Sequence, residues 1–234
     1  MREFDISVVW SSIPTLLPFA LITIFSTVVS AVFSLLLGAI IAAGKLSKNP
    51  ALKTIANLYT TVMRCTPTIV MLFIVYYGIP KISLEVFGKS LDEWPRSVFV
   101  ITGLTLIFSA SVSETIRSAY QAVPKGQFEA GYTCGLSRVR THTRIIFPQM
   151  AYIALPNLGN TFISLLKEGS NAFTIGFIDL IGKANLMVSM NLGARSREIY
   201  LAAALLYLVL VVLLEKGLLL GERKVGKGRK ETTA

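Results

Sequence analysis

The side chains able to do chemistry in this sequence are few and fall into small groups. Glu114 and Arg117 stand three apart, a spacing that puts a carboxylate and a guanidinium on one helix face, as an ion pair or as part of a gate. Lys167 and Glu168 are adjacent and are followed by Gly169, Ser170 and Asn171. One cation, one anion and two hydrogen-bonding side chains can receive the charged head of a zwitterion, because small-ligand sites place a few polar groups in an apolar cavity. Glu129, Ala130, Gly131, Gly135 and Arg138 lie in a basic, glycine-punctuated stretch, EAGYTCGLSRVRTHTRIIFPQ. Cys65, Cys134 and the single histidine, His142, have neither the spacing nor the number to complete a metal shell. His142 also lacks a neighbouring acid in RTHTR from which to build a general base. No G-x-x-x-x-G-K-[ST] run is present to cradle a phosphate, so the sequence points away from an enzyme and from a bound metal or cofactor.

What must position these groups is a set of apolar helices. Of 234 residues, 53% are hydrophobic and only 15% charged, too apolar for an ordinary soluble domain. About 20 apolar residues cross the hydrocarbon core as a helix, and the expectation is an all-α membrane protein with about five such spans. The run from Ile6 to Gly44 carries no charge and would make a helix of roughly 60 Å, about twice the bilayer core. Pro14 and Pro18 are the expected break, with Ile6 to Leu17 lying on the membrane and Phe19 to Ala43 as the first span. Ile55 to Tyr77, Ser97 to Ala119, Gln149 to Leu166 and Ile199 to Leu220 are the others. The chain reads as one domain, 1–234, with a membrane core at 18–220, a polar loop at 121–148 and a basic tail at 221–234. A cleavable signal peptide is set aside, because Arg2 is offset by Glu3 and Asp5 and the apolar run is too long.

Most of the 23 basic residues fall on one side of these spans. On the inner side fall Lys45, Lys48, Lys53 and Arg64 between the first span and the near part of the second, Arg117, Lys125, Arg138, Arg140 and Arg144 from the end of the third onward, and Lys216, Arg223, Lys224, Lys227, Arg229 and Lys230 at the C-terminal end. Cytoplasmic loops carry the excess of Lys and Arg, which predicts an outside N-terminus and an inside C-terminus. The same rule accounts for the net charge of +10 without a nucleic-acid partner.

On this topology Gln121 to Arg144 is the largest cytoplasmic segment. Pro124-Lys125-Gly126 reads as a turn and Gln127 to Cys134 as a short helix with Glu129 in its first turn, where a carboxylate suits the positive end of the dipole. Gly135 suits the left-handed position that ends a helix, and Ser137 the N-cap of the next. The result is a folded knob carrying Arg138, Arg140, His142 and Arg144, in a form suited to a socket.

Glu129-Ala130-Gly131, Gly135, Ile145 and Phe147-Pro148 are spaced as in the cytoplasmic EAA motif of permease subunits in ATP-binding-cassette importers, which this stretch resembles. Gly131 stands where that motif usually has alanine and Phe147 where it usually has leucine. RCTPTIVMLFIVYYGIP, Arg64 to Pro80, is similar to the R-G-T-P segment of polar amino-acid permeases, with Cys65 for glycine. SETIRSAYQAVPKGQFEAG, Ser113 to Gly131, and LPNLGNTFISLLKEGSNAFTIGFIDLIGKAN, Leu155 to Asn185, resemble two further blocks of the same family in the same order. The resemblance, to the histidine, glutamine and cystine type, implies a type I importer permease fold with a cytoplasmic coupling helix, in the plasma membrane of a prokaryote. It implies a second permease subunit, an ATPase subunit that binds ATP and Mg and performs the hydrolysis, an external solute-binding protein and a small amino-acid substrate. AFTIGFIDLIGKAN lies nearer to cystine-type permeases than to arginine or glutamine types. Glu129, Gly135 and Arg138 are then the expected coupling residues.

The competing reading is an ion-coupled secondary transporter in which Glu114 does the coupling; the lack of an internal repeat and the EAA-like knob speak against it. A membrane enzyme is the third class, for which the lone histidine gives little basis.

Overall fold

The computed structural model describes residues 3–226; Lys227, Arg229 and Lys230 of the basic tail lie outside the described residues. Every regular element among the described residues is helical. Helix α1, Ile6–Leu46, runs for 41 residues with Pro14 and Pro18 inside it, which overturns the expected break. Its buried positions explain why. Leu16, Ala20, Thr23, Thr27, Ser30, Ser34 and Gly38 recur every three or four residues and belong to one stripe that begins at Val9 and ends at Lys45, the repeat of a single unbroken helix. Both prolines lie on the exposed side, so their rings meet no neighbouring helix. An interior proline costs about 3 kcal/mol, less than losing the packing of an entire stripe.

Helix α2, Pro50–Cys65, starts at an Asn49 cap whose side chain accepts the Ala51 N–H at 2.9 Å. It stops at Thr66, which is held extended before Pro67 because a residue preceding proline avoids the helical region. Helix α3, Thr68–Phe73, continues through a π-helical turn, Ile74–Gly78, into α4, Ile79–Phe87. The long apolar element is therefore Thr68–Phe87, and the expected second span, Ile55 to Tyr77, contains the break. Helix α5, Arg96–Ala122, is the centre of the bundle. The small face of α1 lies along it so closely that a Cβ on Gly38 would come within 2.6 Å of the Val112 side chain.

After α5 come two short helices, α6, Lys125–Thr133, and α7, Arg138–Thr141, then a π-helical turn, His142–Ile146, that feeds α8, Phe147–Glu168. A 3-10 stretch, Gly169–Ile175, ends in Gly176 at φ 76°, and α9, Leu180–Met190, leaves at 46° to the preceding element. The left-handed turn at Gly176, which a glycine adopts without a Cβ clash, makes the break. Helix α10, Ser196–Gly226, closes the chain. Among the described residues four helices are long and apolar enough to span a membrane, and the bent pair adds a fifth if it counts as one crossing. Leu72, Phe99, Leu104 and Leu165 form one core around α5, and Val9, Leu180, Ile199 and Ala202 a second where α1, α9 and α10 meet. Leu21, Phe25, Ile40 and Leu208 are among the many large apolar side chains left on the outside, as a lipid-facing surface requires.

The start of α1 is clasped to the start of α10. The Asp5 carboxylate accepts the Ser7 N–H at 3.0 Å and its hydroxyl at 2.6 Å, the Asp5 N–H donates to Glu198 at 3.2 Å, and Arg195 reaches Asp5 at 3.8 Å. The Ser7 hydrogen bonds, helped by Arg195, hold the Asp5 carboxyl below its ordinary value. A depressed carboxylate contributes stability that is present above its unfolded value of about 3.9 and lost as pH falls through the folded one. Thermal melting of detergent-solubilised protein should therefore rank wild type above Asp5→Asn at pH 6, with the gap closing at about pH 3 or below. A gap that persists there would remove the carboxylate from the clasp.

Candidate functional site

The knob folds by local chemistry. Gly135 has φ 75°, its N–H donates to the Tyr132 carbonyl at 2.9 Å, and the Leu136 N–H donates to the Gly131 carbonyl at 3.1 Å, the paired bonds of a Schellman end. Ser137 then caps α7, its hydroxyl accepting the Arg140 N–H at 3.4 Å. Helix α6 starts earlier than expected, because Pro124 at φ −57° is already set for a helix and draws Lys125 and Gly126 into it. Glu129 is thus past the first turn, and the dipole argument for it does not hold; it is an exposed acid on the knob. Arg138, Arg140 and Arg144 are exposed with it, as are Val139 (72%) and Tyr132 (42%).

Gly131 is where α6 seats on α7. It is buried, and a Cβ there would lie 2.6 Å from the Thr141 Cγ2 and 3.0 Å from its Oγ1. The glycine at this position of the EAA-like pattern is therefore matched to a β-branched neighbour that is itself fully buried. Gly131→Ala should destabilise the knob by about 1–3 kcal/mol through overpacking. Adding Thr141→Ser, which removes the clashing methyl, should restore it. Proteolytic nicking between Pro124 and Pro148 reports both; an unchanged single variant would show that α7 yields at no cost.

Glu114 and Arg117 pair as their spacing implies, with Arg117 Nη2 2.8 Å from the carboxylate and Arg117 Nη1 donating to Gln121 at 2.7 Å. The sequence reading did not anticipate the third member. Lys45, at the end of α1 and with 2% of its side chain exposed, is hydrogen-bonded to the other Glu114 oxygen. The signal was there, since Lys45 is the first charge after the uncharged run and falls on the small-residue stripe.

The four candidate path residues do not share one site. Glu168 lines a cavity of about 320 Å³ with Arg64, Thr66 and Thr68 on one side and Ile107, Phe108 and Ser111 of α5 on the other. The Thr68 hydroxyl donates to the Glu168 carboxylate. Lys167 and Ser170 line a second cavity of about 380 Å³ with Tyr200, Tyr207 and Ile181. The Asn171 carbonyl accepts a hydrogen bond from Thr174, and Asn171 lines neither cavity. Glu168 therefore shares its cavity with Arg64 and not with Lys167. Both reach the first cavity from helix breaks beside the middle of α5, Arg64 as an exposed side chain and Glu168 as a half-buried one. Asp179, by contrast, is 1% exposed and caps α9, accepting the Gly182 N–H at 2.9 Å.

The first cavity places one cation and one anion, with three hydroxyls, against an apolar wall of Met63, Pro67, Ile107 and Phe108. Such a lining suits a small zwitterion with an uncharged body. The knob offers a basic surface with two apolar points at the far end of the same helices.

Comparison with known proteins places the chain as a whole. The family model for the binding-protein-dependent transport system inner membrane component matches residues 34–225. The L-cystine transport system permease protein TcyL of Bacillus subtilis is 32% identical over 97% of this chain and 94% of its own length. The histidine/lysine/arginine/ornithine transport system permease protein HisQ of Salmonella typhimurium is 34% identical over 90% and 93%. Among solved structures, an amino acid ABC transporter with histidines superposes at a TM-score of 0.81 with 32% identity, covering 95% of this chain and all of that one. The MetNI methionine ABC transporter, at 17% identity and a TM-score of 0.67, shares the fold. The chain belongs to the family of binding-protein-dependent transport system inner membrane components.

Proposed function

We propose that this chain forms, with a second permease subunit, the membrane path of an ATP-driven importer for a polar amino acid, with L-cystine the first solute to try. The observation that carries the reading is the cavity in which Arg64 and Glu168 face a common space beside the middle of α5. Arg64 receives the substrate carboxylate and Glu168 its ammonium group, and the hydroxyls of Thr66, Thr68 and Ser111 complete the shell. The similarity to a cystine permease over nearly the whole chain supports the choice of first solute. The external binding protein delivers the solute, and the partner ATPase holds ATP and Mg and does the hydrolysis. With the N-terminus outside and the C-terminus inside, the knob projects into the cytoplasm of a prokaryotic cell and seats Val139, Tyr132 and its arginines in a groove of that ATPase. Glu114 is engaged by Lys45 and Arg117, which supports a structural role for it over ion coupling.

Purified from its own membranes in mild detergent, the chain should bring an ATPase whose activity rises with a solute-loaded binding protein. A chain that arrives alone and moves an amino acid down an ion gradient would overturn the importer. Glu129→Lys, a charge reversal on the exposed knob, should leave the spans inserted and reduce recovery of the ATPase; full recovery with normal uptake would remove Glu129 from the contact.

A further inference from the structure

The single histidine of the chain sits where the knob meets the bundle. His142 Nδ1 lies 2.8 Å from the Arg138 carbonyl and Nε2 lies 3.0 Å from the Tyr120 hydroxyl. A carbonyl can only accept, so Nδ1 carries the proton, and Nε2 shares a hydrogen bond with the Tyr120 hydroxyl. Around the ring stand Tyr120, stacked at 6.1 Å and 19°, with Phe128 at 5.6 Å and Phe147 at 6.0 Å edge-on. Tyr120 lies near the end of α5, Phe128 is in α6, Arg138 opens α7 and Phe147 opens α8. One side chain therefore touches all four elements. His142 also opens the π-helical turn that joins α7 to α8, a local widening of the helix that is frequent at functional positions. From Tyr120 the same α5 leads back through Arg117 and Glu114 to Ser111 and Phe108, which line the Arg64–Glu168 cavity.

We propose that His142 is a positioning residue of the transport cycle, its imidazole passing displacement of the knob to α5 through the Tyr120 hydrogen bond and to α8 through the π-helical turn. The inference rests on the reading of the knob as the element that docks on an ATPase. Aromatic packing alone would hold the knob in place; the directed hydrogen bonds are what tie its rotation to that of α5.

The test uses the complete complex, permease with its ATPase and binding protein, in liposomes, and reads solute moved per ATP hydrolysed. Tyr120→Phe removes one hydroxyl, and His142→Phe keeps a ring but removes both hydrogen bonds. Each should lower the transport-to-ATP ratio by about threefold to tenfold, the worth of one hydrogen bond, with complex recovery and ATP turnover unchanged. The double variant should be no worse than His142→Phe, because both remove the same contact. An unchanged ratio in either single variant would overturn the proposal. So would a loss of ATP turnover and transport in step with falling complex recovery, which is the mark of a purely structural ring, or additive losses in the double variant. If the wild-type chain recruits no ATPase at all, the reading of the knob fails first; normal wild-type coupling with unaffected variants sinks only the role of His142.

Discussion

Glu114→Ala is expected to abolish recovery of folded protein from the membrane. Lys45 has 2% of its side chain exposed and its ammonium is held by Glu114, so removing the carboxylate leaves a buried cation with no counter-charge. Breaking a buried pair by deleting one partner costs about 3–5 kcal/mol, a large fraction of the about 5–15 kcal/mol that keeps a typical protein folded. Arg117, about one-third exposed, can turn to water and loses less. Replacing both members, Lys45→Met with Glu114→Leu, should recover folded protein, because the cost lies in the orphaned charge and not in the missing attraction. Size-exclusion yield and thermal melting in detergent measure both. Recovery of Glu114→Ala at wild-type yield would show that water reaches Lys45.

Glu168→Gln is expected to cut substrate transport by about ten- to a hundredfold, the loss of one charged hydrogen bond of about 1.5–3 kcal/mol. Thr68 can still donate to the amide oxygen, so the cavity keeps its shape and folded yield should not change. Arg64→Met should give a loss of the same order by stranding the substrate carboxylate. Lys167→Met, in the other cavity, should have the smaller effect. Uptake into liposomes with the binding protein present reads all three. Normal transport by Glu168→Gln would move the substrate site out of the first cavity, and a greater loss in Lys167→Met would point to the second.

The sequence by itself determined whatever depends on neighbours along the chain. Gly135 and Ser137 end and begin helices because a left-handed glycine and a capping hydroxyl act within a few residues of themselves. The apolar runs placed α5 and α10 to within a few residues, since desolvation in a bilayer is summed along a segment. Glu114 and Arg117 share a face by helical geometry alone.

Only the tertiary structure decided the rest. Pro14 and Pro18 looked like a break because a proline in an isolated helix costs a hydrogen bond. What keeps α1 whole is a stripe of small and hydroxyl side chains, Thr23, Thr27, Ser30, Ser34 and Gly38, whose value appears only once α5, α9 and α10 lie against it. Lys167 and Glu168 are adjacent in sequence, yet they line different cavities, because successive residues of a helix point about 100° apart. Arg64 reads in sequence as a loop cation, and only the extended turn at Thr66-Pro67 lets it line the same cavity as Glu168. Charges meet across helices according to how the helices are cut and stacked, and that is settled by packing, which no window along the chain contains.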